Sequence, residues 1–309
     1  MIAAALCFAS CSSDPPKPTA IAAPAQMPLA RTEVAGTQWR GDGIVVLGGL
    51  TKDGQASARA DLYRQRSNRW TRLPDMPVAL HHTTAVEFLA RVFVVGGYTV
   101  ADAQWKESAL VFSLGVHEDA WRAETALPAP RGAHAAVALR NHIVVVGGVS
   151  EGRVVASSVV FTPETGWAAG PEMQRAREHL AATVAQDRVY AIGGRAEGTN
   201  FRDVESWDGR ASHWWNEPSL HDSRGGIGAA TVAGLPCVAG GEEPGGTIAS
   251  VECLRANTWR RVATLAVPRH GLAVVAIGER LHVIGGGPKP GLFVSRAHEV
   301  IRPLRDAAA

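Results

Sequence analysis

An all-β chain of six repeated units, a solenoid or a propeller, is the fold class the sequence predicts, and two observations predict it. The first is a β-branched apolar run closed by two glycines that occurs six times. It reads Ile44-Val45-Val46-Leu47-Gly48-Gly49, Val92-Phe93-Val94-Val95-Gly96-Gly97, Ile143-Val144-Val145-Val146-Gly147-Gly148, Val189-Tyr190-Ala191-Ile192-Gly193-Gly194, Pro236-Cys237-Val238-Ala239-Gly240-Gly241 and Leu281-His282-Val283-Ile284-Gly285-Gly286. The second is the spacing: successive glycine pairs stand 48, 51, 46, 47 and 45 residues apart. Each run is too short for a helix and mostly rich in Val and Ile, so it reads as a buried strand. The glycines end the strand where the backbone needs positive φ or close approach to a neighbouring unit.

The rest of the repeat keeps the same period. Arg131, Arg177, Arg224 and Arg269 stand 16 residues before the first glycine of their pair, Arg31 stands 17 before, and Leu80 fills the slot in the second repeat. A tryptophan follows the pair in five repeats, at Trp70, Trp121, Trp167, Trp215 and Trp259, and proline turns such as Leu73-Pro74-Asp75-Met76-Pro77 and Leu127-Pro128-Ala129-Pro130-Arg131 come next. This pattern resembles the kelch repeat over roughly residues 28 to 303. The resemblance implies a six-bladed kelch-type β-propeller with four-stranded blades. The tryptophans are expected to pack between blades. The recurrent arginines are expected to bond carbonyls of a neighbouring turn more readily than a ligand, since a buried cation needs paired acceptors.

In chain order, residues 1–18 read as a leader and tether and residues 19–309 as the propeller. Ile2 to Ser10 is apolar and small, and Phe8-Ala9-Ser10-Cys11 resembles a bacterial lipobox, with Cys11 as the lipidated residue. Ser12-Ser13-Asp14-Pro15-Pro16-Lys17-Pro18 then reads as a disordered tether. The competing reading is a frayed terminus with an incidental cysteine. Met27-Pro28-Leu29-Ala30-Arg31 matches the end-of-repeat turns, so residues 19–26 are expected to supply the outer strand of the sixth blade, the competing reading being a last blade of three strands. The sixth repeat has no Trp-bearing fourth strand of its own, and closing the ring removes a sheet edge. Pro24 and Pro28 suit an outer strand. His134-Ala135-Ala136-Val137-Ala138-Leu139 and Leu272-Ala273-Val274-Val275-Ala276-Ile277 read as inner strands beside the central channel.

Composition excludes several classes. Apolar residues make up 46% and charged residues 19%, and a formal charge of +2 gives no electrostatic case for nucleic acid or an anionic membrane. The eleven histidines form no tract and no metal-binding spacing, so neither metal nor cofactor is expected. Beyond Cys7 and Cys11 only Cys237 and Cys253 remain, on either side of the turn Glu242-Glu243-Pro244-Gly245-Gly246. A hairpin there places them nearly opposite each other, either as a disulfide of an oxidising compartment or as two buried thiols.

Chemistry belongs at the channel mouth, on the loops after each glycine pair and the segments entering each first strand. Those stretches contribute Lys52, Asp53, His81, His82, Tyr98, Arg131, His134, Glu178, His179, Arg195, Glu197, Arg224, Glu242, Glu243, Arg269 and His270. Three functions fit a kelch-like propeller. The first is a monomeric, non-enzymatic recognition scaffold of the bacterial cell envelope that binds a protein or a glycan. The second is an enzyme similar to the kelch-type N-acetylneuraminate epimerase, with Glu178, His179, Arg195 and Arg224 supplying acid, base and carboxylate clamp. The third, a copper radical oxidase similar to galactose oxidase, fails because only Tyr63, Tyr98 and Tyr190 exist and no Tyr-His pair occurs. There is no Gly-x-Ser-x-Gly, and no helix is expected after the glycine pairs to bind phosphate.

Overall fold

The computed structural model describes residues 23–101 and 104–303. Among them every regular element is a strand, and the strands form six antiparallel blade sheets around a central channel together with four two-stranded hairpins. The first blade runs Ala35–Trp39, Gly43–Leu47, Ala60–Arg64 and Arg69–Arg72, in that spatial order from channel to rim. Blades two to five repeat the meander, and the sixth has three strands, Ala273–Ile277, Arg280–Ile284 and His298–Ile301. Arg31 stands one residue early because the first hairpin turn, residues 40–42, is one residue longer than its equivalents at 89–90 or 140–141.

The apolar runs are the second strands. In Gly43–Leu47 every residue is buried because both faces of the strand meet another blade. Val45 and Leu47 enter the seam with the second blade, while Ile44 and Val46 enter the seam with the sixth. This follows from the two-residue period of strand side chains. The buried apolar residues accordingly fall into six clusters, one for each seam between neighbouring blades.

The glycine pairs knit these seams. The second glycine donates its N–H to the carbonyl that ends the turn of the next blade: Gly49 to Leu80, Gly97 to Arg131, Gly148 to Arg177, Gly194 to Arg224, Gly241 to Arg269 and Gly286 to Arg31, all at 2.8–2.9 Å. The first glycine has φ near +60°, and a Cβ on Gly48 would sit 2.6 Å from the Leu80 carbonyl oxygen. Both requirements of the pair, positive φ and close approach, are therefore met by the same contact.

The ring closes through its N-terminal segment. Met27 donates its N–H to the Arg296 carbonyl at 2.9 Å, as Met76, Leu127, Met173, Leu220 and Leu265 do within their own blades. Trp70 Nε1 donates to the Ala25 carbonyl at 2.9 Å, as Trp121 does to Pro74 and Trp259 to Pro218. Residues 23–27 thus take the place of the end of blade six without regular strand pairing, and residues 19–22 lie outside the described residues. Arg296 Nε adds a bond to the Met27 carbonyl at 2.6 Å, tying positions 269 residues apart.

One tryptophan assignment is corrected. The seam residue of the fourth blade is Trp214, 1% exposed with Nε1 on the Pro171 carbonyl, and not Trp215. Trp215 points the other way and packs under the Arg188 guanidinium at 4.4 Å. Two adjacent tryptophans on one strand must face opposite sides, and a repeat pattern alone does not choose between them.

Cys237 and Cys253 are directly opposed on neighbouring strands of the fifth blade and joined by a disulfide closing a 16-residue separation. Replacing both with alanine is expected to cost about 3 kcal/mol, because a loop of that length loses closure entropy in the unfolded chain. Urea midpoints of the wild type and the double variant check this, and equal midpoints would show that the bond does not contribute.

Candidate functional site at the channel mouth

The site is built from three consecutive slots that recur in every blade. The first is the arginine slot. Arg31, Arg131, Arg177 and Arg224 each donate from NH1 to the carbonyl of their own repeat's first glycine, at 2.8–3.2 Å. Arg269 instead bonds the Val283 and Val267 carbonyls. Carboxylates balance four of them, three buried and one partly exposed: Asp61 on Arg31, Glu205 on Arg177, Glu252 on Arg224 and the partly exposed Glu299 on Arg269. In the second blade Leu80 replaces the arginine and Phe112 stands where blades one, four, five and six have an acid, so apolar packing replaces both ions there, while blade three keeps Arg131 with Val159 at the acid position and Ser157 as a neutral partner. Burial still pulls the Arg31 guanidinium down to about 10, against the attraction of Asp61. Arg131, Arg224 and Arg269, expected at the mouth, therefore lie inside the blade walls, because the 16-residue spacing aims them at backbone carbonyls.

The second slot lines the mouth. Its residues pair through the backbone with the residue after each glycine pair: Thr32 with Leu50, His81 with Tyr98, Gly132 with Val149, Glu178 with Arg195, Gly225 with Glu242 and His270 with Gly287. Two chemically distinct sectors result. Over the second blade, His81, His82, Tyr98 and the half-exposed Trp105 form an aromatic group with centroids 4.6–5.8 Å apart. Burial raises the Tyr98 phenol and drops His81 to about 4. Over blades four to six, Arg195 Nε donates to Glu178 Oε1 at 2.9 Å and its NH1 to Glu242 Oε1 at 2.7 Å. Burial opposes the charge of Arg195, but the two carboxylates outweigh it and raise its pKa. Glu178 also accepts from His179 Nδ1.

The third slot forms the throat. Glu33, His82, Ala133, His179, Gly226 and Gly271 all have φ between +48° and +65°. Their backbones form a closed circle: His82 N–H bonds Glu33 O, Ala133 bonds His82, His179 bonds Ala133, Gly226 bonds His179, Gly271 bonds Gly226, and Val34 returns to Gly271, at 2.8–3.3 Å. The left-handed conformation is what lets each carbonyl meet the next blade's N–H. Below this circle the first strands enclose a channel of about 420 Å³, and at the circle lies a cavity of about 80 Å³ touching Glu33, His82, His134 and His179. His134 points into the wall beneath the circle, and burial pushes it to about 3.

Three side chains of the circle converge. His82 Nε2 lies 3.2 Å from Glu33 Oε2, the His82 and His179 ring centroids are 4.7 Å apart, and one donor atom of each residue lies within 4.8 Å of the others. His270 Nδ1 approaches the other Glu33 oxygen at 3.2 Å. Burial works against the Glu33 carboxylate, but the surrounding imidazoles hold its pKa well below the usual range. Burial leaves His82 neutral, at about 3, while Glu33 and Glu242 raise His270 against the same burial. Glu33 was absent from the sequence-predicted site. Aligning the repeats on the arginine would have found it, since Glu33, His82 and His179 each stand two residues beyond that slot.

The mouth does not support the sugar-acid epimerase expectation. Arg224 is sealed in a blade wall, and Arg195 already carries two carboxylates, so neither arginine of that expectation is free to clamp an acidic sugar.

Comparison with known proteins agrees with this architecture. The Kelch motif model matches residues 176–220. The Kelch-like protein terF of Aspergillus terreus is 26% identical over 288 residues, spanning 85% of this chain and 62% of that protein. Beta-scruin of Limulus polyphemus is 27% identical over 274 residues, spanning 84% of this chain and 25% of that one. The chain thus covers less than two thirds of the length of either relative. Among solved structures, that of YjhT superposes with a TM-score of 0.78 at 15% identity, covering 90% of this chain and 96% of the other. By its six-fold repeat, the motif match and these relatives, the chain is similar to kelch-repeat proteins, and its fold is a six-bladed propeller.

Proposed function

We propose that the protein is a non-enzymatic recognition scaffold that holds a protein or glycan of the bacterial cell envelope on one face of the propeller. The observation that carries the reading is the asymmetry of the two faces. The turns joining first to second strands are two or three residues long, whereas the opposite face carries the hairpins Tyr98–Ala101 with Gln104–Glu107, Val149–Ser150 with Arg153–Val154, Arg195–Ala196 with Thr199–Asn200 and Glu242–Glu243 with Gly246–Thr247. Neighbouring loops touch through Gly152 N–H on Glu107, Asn200 Nδ2 on the Glu242 carbonyl and Thr247 Oγ1 on the Pro288 carbonyl. These contacts join the loops of blades two and three and those of blades four to six, and this face exposes Trp105 over the second blade and Leu292 and Phe293 over the sixth. Exposed aromatics on loops held by a rigid scaffold are what a recognition surface uses.

Export, anchoring through Cys11 and a monomeric state belong to the same proposal. The Cys237–Cys253 disulfide supports an oxidising compartment, while Cys11 itself lies outside the described residues.

The test is a thermal-shift screen against acidic and neutral sugars, paired with capture from envelope extracts. A ligand that binds only the folded state raises the melting temperature by mass action. Trp105→Ala with Phe293→Ala is expected to weaken the captured partner about tenfold or more while leaving the melting temperature of the free protein nearly unchanged. Retention of full binding by that variant would remove this face from the account.

A further inference from the structure

We propose that Glu33, His82 and His179 form a binding site for one divalent transition-metal ion of the zinc type at the throat of the channel. The site rests on the convergence of three donors from three different blades on the same slot of the backbone circle. No local motif reveals it, because the three stand 49 and 97 residues apart along the sequence (82 − 33 and 179 − 82), about one and two repeats. Two imidazoles and one carboxylate, with no thiolate, suit zinc, cobalt, nickel or iron and not a hard cation such as calcium. Three protein ligands leave at least one position open, and the 80 Å³ cavity at the circle has room for the ion and its water.

The surroundings orient each ligand. His179 Nδ1 donates to Glu178, which leaves Nε2 with a free lone pair. Glu178 is in turn fixed by Arg195 at 2.9 Å. His82 Nδ1 meets His81 Nδ1, so the bond can be made with the proton on His82 Nδ1 and Nε2 bare towards Glu33. The second Glu33 oxygen lies 3.2 Å from His270 Nδ1. A carboxylate or imidazole behind each ligating histidine is the arrangement that fixes tautomer and raises ligand basicity. Gly271 contributes by its missing side chain, because a Cβ there would collide with the Glu33 carboxylate. The separation of 3.2 Å between His82 Nε2 and Glu33 Oε2 is close to the donor spacing of a tetrahedral ion with bonds of about 2.0–2.2 Å.

Without metal, the single N–H of the neutral His82 ring can lie on Nε2, facing Glu33 Oε2 at 3.2 Å; metal binding requires the tautomer with that proton on Nδ1, facing His81.

The experiment is calorimetric titration of chelator-stripped protein with Zn²⁺ and with Co²⁺, with Co²⁺ followed by its visible absorption. The expected result is one equivalent bound and a Co²⁺ spectrum of low coordination number. His179→Gln and Glu33→Gln are expected to abolish it. Glu178→Gln, which keeps all three ligands, should weaken binding about 10–100-fold. His298→Gln, at the blade-six rim, should leave it unchanged. Circular dichroism establishes that each variant is folded. Absence of binding by the wild type, or equal binding by the folded Glu33→Gln variant, overturns the proposal.

Discussion

Replacing Arg177 with alanine is expected to lower the unfolding free energy by about 3–5 kcal/mol, because it strands the Glu205 carboxylate without its cation. Neither side chain reaches solvent, and the pair sits at 2.8 Å. The guanidinium also serves the Gly193 and Asp203 carbonyls, which would lose their donor. The second blade shows the compensated alternative, with Leu80 and Phe112 in the two equivalent positions. The double change Arg177→Leu with Glu205→Phe is therefore expected to cost much less than Arg177→Leu alone, since a buried pair can be exchanged for apolar packing of similar volume. Chemical denaturation of the three variants measures this coupling. Additive losses would mean that the two residues do not act as a pair.

Acid is expected to unfold the protein well before most of its carboxylates titrate. Burial pushes His134 and His282 to about 3 and His298 to about 4 in the folded state, against about 6.5 unfolded. A folded pKa below the unfolded one means that the unfolded chain binds more protons, so stability is full above pH 6.5 and falls as pH drops towards 4. Each buried imidazole contributes a loss on the order of 3 kcal/mol by pH 4, and three such losses match the usual 5–15 kcal/mol of a domain. His282 and His298 stand at the seam that closes the ring. His298 Nδ1 donates to the Ala25 carbonyl, its Nε2 lies 2.9 Å from His282 Nδ1, and His282 Nε2 meets the Gln65 side chain of blade one at 2.9 Å. With His298 Nδ1 as donor and both rings neutral, His298 Nε2 accepts from His282 Nδ1 and the Gln65 amide must turn its N–H to His282 Nε2; protonating His298 breaks that relay. Urea midpoints from pH 7.5 to 4.0 should decline from about 6.5 downward. The His298→Gln variant should decline less steeply, and a flat profile would contradict the buried neutral histidines.

Most of the fold was legible because it is periodic. The runs before the glycine pairs announced the second strands, and the arginine spacing announced a structural cation. The site was legible only in part. His81, His82, Glu178, His179, Arg195, Glu242 and His270 do gather at the mouth or throat, since their slots flank the first strand and the residue after the glycines. Arg131, Arg224 and Arg269 do not, because the same periodicity commits them to carbonyls. Glu33 escaped because its blade carries the one-residue-longer turn, which shifts the repeat by one position. The Trp214 and Trp215 choice depended on strand pleat, which spacing does not carry.

Hydrogen–deuterium exchange of the protein with and without its captured partner is the most direct test of the recognition face. The account predicts slowed exchange in the loops around 98–107, 195–200, 242–247 and 288–293, with no change at the turns 40–42, 89–90 and 140–141 of the opposite face. Protection confined to those short turns, or to the outer strands, would contradict it.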